Sequence, residues 1–179
     1  LQVAFELPEN DPATQPQVLF PAEGTLLYRF KPNTARRGRF EKLGGGDGYI
    51  WGSGVGFFEY VVPARKDRRR VGQIVVRAHI QPVLPEDAKP DWIRTRVTLF
   101  VNGKDCGSRL IPVEDPKAPL IQEWKIDSWS LRLAAARGFQ LRIRFAVTPE
   151  SDWLYGVNIS NWPEGYMSHD ATPVEVEID

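Results

Sequence analysis

Period-two alternation of apolar and polar residues is the feature that most constrains this chain. In Ile74 to Ile80, the residues Ile74, Val76, Ala78 and Ile80 share one face while Arg77 and His79 take the other, the signature of a half-buried strand. Leu141 to Val147 repeats it, with Leu141, Ile143, Phe145 and Val147 inward and Arg142 and Arg144 outward. Thr95 to Val101 and Val174 to Ile178 read the same way. Weaker strand patterns cover Leu26 to Phe30, Tyr49 to Val61, Gly107 to Ile111, Ile121 to Ile126 and Leu154 to Ser160, with Val3 to Leu7 as an edge strand. Residues 1–24 form an irregular lead-in or edge strand, and residues 25–179 a single domain.

Between the strands lie turn residues. Asn102-Gly103 suits a two-residue hairpin because both residues tolerate positive φ. The segments Pro82 to Pro90 and Pro112 to Pro119 read as loops, and Leu131 to Arg137 as a lone short helix. Many short alternating strands imply two antiparallel sheets packed face to face, an all-β sandwich for which jelly-roll topology is the expectation. No internal repeat favours a propeller or solenoid.

Composition narrows the partners. The 23 Lys+Arg equal the 23 Asp+Glu, so no basic excess is available to displace counterions from a phosphate backbone, and nucleic acid is not expected as a partner. Charged residues interrupt every apolar run well short of the roughly 18 residues a membrane helix needs, so no membrane partner is expected. The single cysteine, Cys106, leaves no internal disulfide and no cysteine cluster for a metal. The chain opens at Leu1 without an initiator Met or a signal-peptide pattern, as expected of a processed protein or a domain cut from a longer one.

Two stretches resemble a known family. Leu99-Phe100-Val101-Asn102-Gly103-Lys104-Asp105-Cys106-Gly107-Ser108-Arg109 resembles the strand, turn and strand of galactose-binding-like jelly-roll domains. Asp152-Trp153-Leu154-Tyr155-Gly156-Val157-Asn158-Ile159-Ser160, followed by Trp162-Pro163-Glu164-Gly165-Tyr166, resembles the closing region of accessory β-sandwich domains attached to glycoside hydrolase family 2 proteins. Gly44 to Gly56, with Tyr49 and Trp51 in a glycine-rich run, fits the same picture. The resemblance implies a non-catalytic carbohydrate-binding module or accessory domain, often carrying a structural calcium ion and otherwise needing no cofactor. It also implies a polysaccharide or oligosaccharide ligand, the catalytic domain of a parent enzyme as partner, and a secreted or periplasmic location.

If consecutive strands run antiparallel, their connections alternate between the two ends of the sandwich. One end then gathers Tyr49, Trp51, Trp92, Trp153 and Tyr155, with Arg39, Asp91 and Asp152 close by. Sugars present apolar C–H faces and polar rims, so aromatic plates ringed by carboxylates and guanidinium groups suit them. These eight residues are the candidate carbohydrate site. Each Trp also reads as a plug for the end of the sandwich, and Trp124, alternating with Ile126, as core.

Other features carry bland readings beside sharper ones. Asp47, Asp87, Asp91, Glu114 and Asp115 are oxygen ligands of the kind calcium takes, without the spacing of a calcium hand. Arg65 to Arg70 is a basic run best read as a solvated turn. Gly52-Ser53-Gly54-Val55-Gly56 resembles a nucleophile elbow or phosphate loop, but strand follows where helix is needed. His79 is a solvated strand histidine or an acid/base group lining a sheet face, and His169 is the only other histidine. The expected function is carbohydrate binding without catalysis. The alternatives are a structural accessory sandwich packed on a catalytic domain, and a jelly-roll glycosidase or lyase whose paired carboxylates come from distant strands.

Overall fold

The computed structural model describes residues 15–83, 95–111, 121–149, 156–160 and 174–179. In chain order its strands are β1 (Gln17–Leu19), β2 (Leu26–Phe30), β3 (Arg36–Gly38), β4 (Lys42–Gly46), β5 (Tyr49–Ser53), β6 (Gly56–Val62), β7 (Ile74–Val83), β8 (Thr95–Val101), β9 (Lys104–Ile111), β10 (Ile121–Ile126), β11 (Leu141–Pro149), β12 (Gly156–Ser160) and β13 (Val174–Ile178). One helix, α1 (Trp129–Ala136), precedes β11. The strands form two antiparallel sheets, a five-stranded one ordered β3-β6-β11-β8-β9 and an eight-stranded one holding the rest.

The alternating residues do what their period requires. Ile74, Val76, Ala78 and Ile80 of the larger sheet face Leu141, Ile143, Phe145 and Val147 of the smaller one across a core without solvent access. Each of these side chains larger than Ala78 contributes about 1.5–3 kcal/mol by leaving water. Trp124 joins this core, its ring centroid 5.6 Å from that of Phe145 and its indole N–H donating to the Gly107 carbonyl. The Asn102-Gly103 turn takes positive φ at both residues (49° and 79°), the hairpin geometry expected of that pair.

The larger sheet has an interrupted construction. His79 pairs with Ile121 of β10 on one side and Ser160 of β12 on the other, and Arg77 pairs with Glu123 and with Glu175 of β13. So β12 and β13 lie end to end along one edge of β7. Beyond them β5 and β2 also lie end to end, through the pairs Ser160 with Tyr49 and Val174 with Phe30. The chain thus leaves two neighbouring ranks of the sheet at the same level. The excursion after Phe30 lends β3 to the smaller sheet and returns as β4. Arg37 ties its two parts together by donating from Nη1 to the Gly44 carbonyl at 2.8 Å.

Several expectations are corrected. Lys31 to Gly48, which has no strand pattern in the sequence, contains β3 and β4, because Lys-Leu-Gly-Gly-Gly carries no alternation and is a strand only through its pairing with β5. Tyr49 to Val61 is two strands in different sheets, separated at Gly54, whose φ of 87° suits glycine. Pro82 lies inside β7, beyond the point where β10 stops pairing, so only the ladder to β12 remains there. The helix starts at Trp129, earlier than the alanine run, because the Ser128 side chain caps it by accepting from the Leu131 N–H. Val3 to Leu7 lies outside the described residues, as do residues 84–90 of the first expected loop and Pro112 to Pro119.

Candidate functional site

The outer face of the larger sheet divides at the interruption. Below it the strands carry Arg29, Arg77, Glu123, Glu175 and Glu177, joined in a charge ladder in which Arg77 reaches Glu123 at 2.7 Å and Glu177 at 3.1 Å. Above it the same face carries mostly uncharged groups, with Lys42 at the start of β4 as the exception. Alternation sends Ile50 into the core and leaves Tyr49 and Trp51 outside on β5, opposite Ser160 and Asn158 of β12, with His79 and Gln81 of β7 one rank further on.

The two aromatic rings lean the other way, over the glycines of β4. A Cβ placed on Gly44 would meet the indole Nε1 of Trp51 at 2.5 Å, and one on Gly46 would meet the ring of Tyr49 at 2.7 Å. Only glycine lets the rings lie this close to the backbone, which is the reason for Gly44 and Gly46. Tyr49 remains 41% exposed. Beside Trp51, the side-chain oxygen of Asn158 is buried and finds no hydrogen-bond partner among the described residues. An orphaned acceptor of this kind is costly unless something donates to it.

His79 is buried, 3% exposed, and its Nδ1 lies 2.9 Å from the Ser160 hydroxyl. The expectation of a solvated strand histidine is therefore wrong, since pairing on both sides of β7 encloses it. The contact fixes the rim of the aromatic face.

The smaller sheet presents a second feature on its own outer face, a groove of about 410 Å³ along β6, β11 and β8. At its floor Glu59, with 3% of its side chain exposed, accepts from Arg36 at 3.1 Å and from two nitrogens of Arg144, each at 2.8 Å, while Arg142 stands 3.5 Å away. The Arg144 guanidinium sits 4.0 Å over the ring of Phe57. Apolar walls come from Val55, Phe100 and Ala146, and Arg39 stands exposed at the mouth.

Of the eight residues singled out from sequence, Tyr49 and Trp51 come together, though in mid-sheet and not at a loop end, because β2 and β5 share one rank. Arg39 belongs to the groove on the opposite sheet. Trp92, Trp153, Tyr155, Asp91 and Asp152 lie outside the described residues. Sequence reasoning missed Asn158, Ser160 and Glu59. The signal for Glu59 was present, as the sole charge within Gly56 to Val62.

Among the described residues no three His, Cys, Asp or Glu side chains are grouped to hold a metal ion, and no helix is long and apolar enough to cross a membrane. Asp47 sits exposed in the turn between β4 and β5, while Asp87, Asp91, Glu114 and Asp115 lie outside the described residues. Arg65 and Arg69 of the basic run are partly engaged rather than solvated, donating to the carbonyls of Ala135 and Gly24. A scan against protein-family models gives no match to this chain, and a search of curated proteins gives none.

Proposed function

We propose that this chain is a non-catalytic carbohydrate-binding module, a jelly-roll sandwich of the galactose-binding-like kind, which attaches a polysaccharide-degrading enzyme to its glycan. The observation that carries the reading is the pairing of two rings laid along the sheet, Tyr49 and Trp51, with the orphaned amide oxygen of Asn158 beside them. A pyranose ring lies with its C–H face on such a plate and donates a hydroxyl to the waiting acceptor. On this half of the face Lys42, opposite Ser53 at the far end of β4, is the one formal charge among the described strand residues, so the surface around the two rings is mostly uncharged, which suits a neutral ligand. The chemistry uses no cofactor.

The Ser160 and His79 contact does not favour hydrolysis. Both side chains sit on paired strands, and the histidine is enclosed, 3% exposed, away from a substrate in solvent. Affinity electrophoresis and calorimetry against neutral glucans, mannans, xylans and galactans test the reading. Retention by at least one of them is expected, and retention by none contradicts it.

A second reading is a structural accessory domain packed on a catalytic partner. It draws on Trp129, 72% exposed, and Phe139, also exposed, at the two ends of α1. Replacing both by serine should then weaken assembly with the parent enzyme and leave glycan retention unchanged.

A further inference from the structure

The groove on the smaller sheet lies on the opposite side of the sandwich from Tyr49 and Trp51, and its chemistry differs. Among the described residues that line it, Glu59 is the one carboxylate, set against Arg39, Arg142 and Arg144. Arg36 adds a further guanidinium to the same carboxylate from β3. Positive charge is therefore in excess, in a chain whose formal net charge is zero.

The arrangement is built rather than accidental. Phe57 is held between two partners: a Cβ on Gly38 would meet its ring edge at 2.5 Å, and Arg144 covers it at 4.0 Å. Its ring is thus occupied in holding a guanidinium and is not open for sugar stacking. Glu59 engages Arg144 through Nε and Nη2 only, which fixes the plane of that guanidinium without using all of its donors. Arg142, 42% exposed along its side chain, and Arg39 at the mouth face the same space. Such forks match planar oxyanions in two-point contacts, which lysine does not do. The walls of Val55, Phe100 and Ala146 add the apolar surface that a ring with C–H faces needs.

We propose that this groove is a second binding site, which takes the carboxylate of an acidic sugar unit, a hexuronate within an oligosaccharide. The sugar part of the proposal rests on the glycan-binding reading above, while the anion part rests on the groove alone. A large volume for one ring also fits: 410 Å³ lies within the range of small-molecule sites.

The test is calorimetric titration of the whole chain with an oligogalacturonate, its methyl ester and a neutral oligosaccharide, at low and physiological salt. The acid should bind about tenfold or more tightly than the ester, since esterification removes a charge-assisted pair, and added salt should weaken only the acid. Arg142→Gln and Arg39→Gln should each lower uronate affinity about tenfold with the melting temperature nearly unchanged, whereas Trp51→Ala should leave uronate affinity as it was. Equal binding of acid and ester overturns the proposal, as does insensitivity to both arginine changes. Binding of neutral glycan without any uronate binding overturns it and leaves the module reading intact. Loss of both kinds of binding overturns both. Inorganic sulfate competing as well as the uronate would make the groove a general anion site, and the sugar assignment would then fail.

Discussion

The guanidinium of Arg144 lies 4.0 Å above the ring of Phe57 while its Nε and Nη2 both reach Glu59 at 2.8 Å. One side chain is thereby clamped by dispersion and cation–π attraction on its face and by charge on its edge. Glu59→Gln leaves the shape and removes the charge that Arg36, Arg142 and Arg144 share. It should cost about 2 kcal/mol, since hydrogen bonds to charged groups contribute more than neutral ones. Urea denaturation measures it, and an unchanged midpoint would show that solvent already screens the cluster.

Alkaline pH gives a second prediction. Burial raises the Tyr60 phenol well above its ordinary value of 10.0, with the nearby Arg37 charge offsetting part of the rise. In the unfolded chain the phenol ionises near that ordinary value, while in the fold it stays protonated. The folded state then binds more protons, so its stability is whole below pH 10.0 and falls as pH rises further. Tyr60→Phe should cost about 1–2 kcal/mol at neutral pH, because the Pro32 carbonyl loses the donor now 2.7 Å away. The variant should also lose less stability than the parent chain between about pH 8 and about pH 11. Parallel slopes for the two proteins would contradict the assignment.

Gly44 offers a test that changes no contact group. Its Cβ position is occupied by the Trp51 indole at 2.5 Å. In Gly44→Ala the ring must swing away, because a tip of a side chain moves more easily than a paired strand. Glycan affinity should fall about tenfold while the melting temperature shifts by a few degrees at most. Retained affinity with a displaced Trp51 fluorescence maximum would mean that the ring's position is irrelevant to binding.

The sequence carried the core better than the faces. Ile74 to Ile80 and Leu141 to Val147 were legible because period-two alternation is a local property that burial enforces. β4 was not legible, since Gly44 and Gly46 are explained by rings arriving from β5, a tertiary reason outside the local pattern. The end-to-end ranks had the same effect on the site. Counting strands placed Tyr49 and Trp51 at an end of the sandwich, whereas β5 continues the line of β2 and carries them to mid-sheet. Asn158 and Glu59 acquire meaning only from neighbours far along the chain: Trp51 on the adjacent β5 for one, Arg144 and Arg36 for the other.

The most direct measurement is calorimetry of the whole chain and of Trp51→Ala with whichever neutral oligosaccharide the parent chain retains best. Removing the ring should weaken binding about tenfold or more, with the fold kept and the melting temperature lowered by only a few degrees. Unchanged affinity in a folded Trp51→Ala protein would contradict binding on this face.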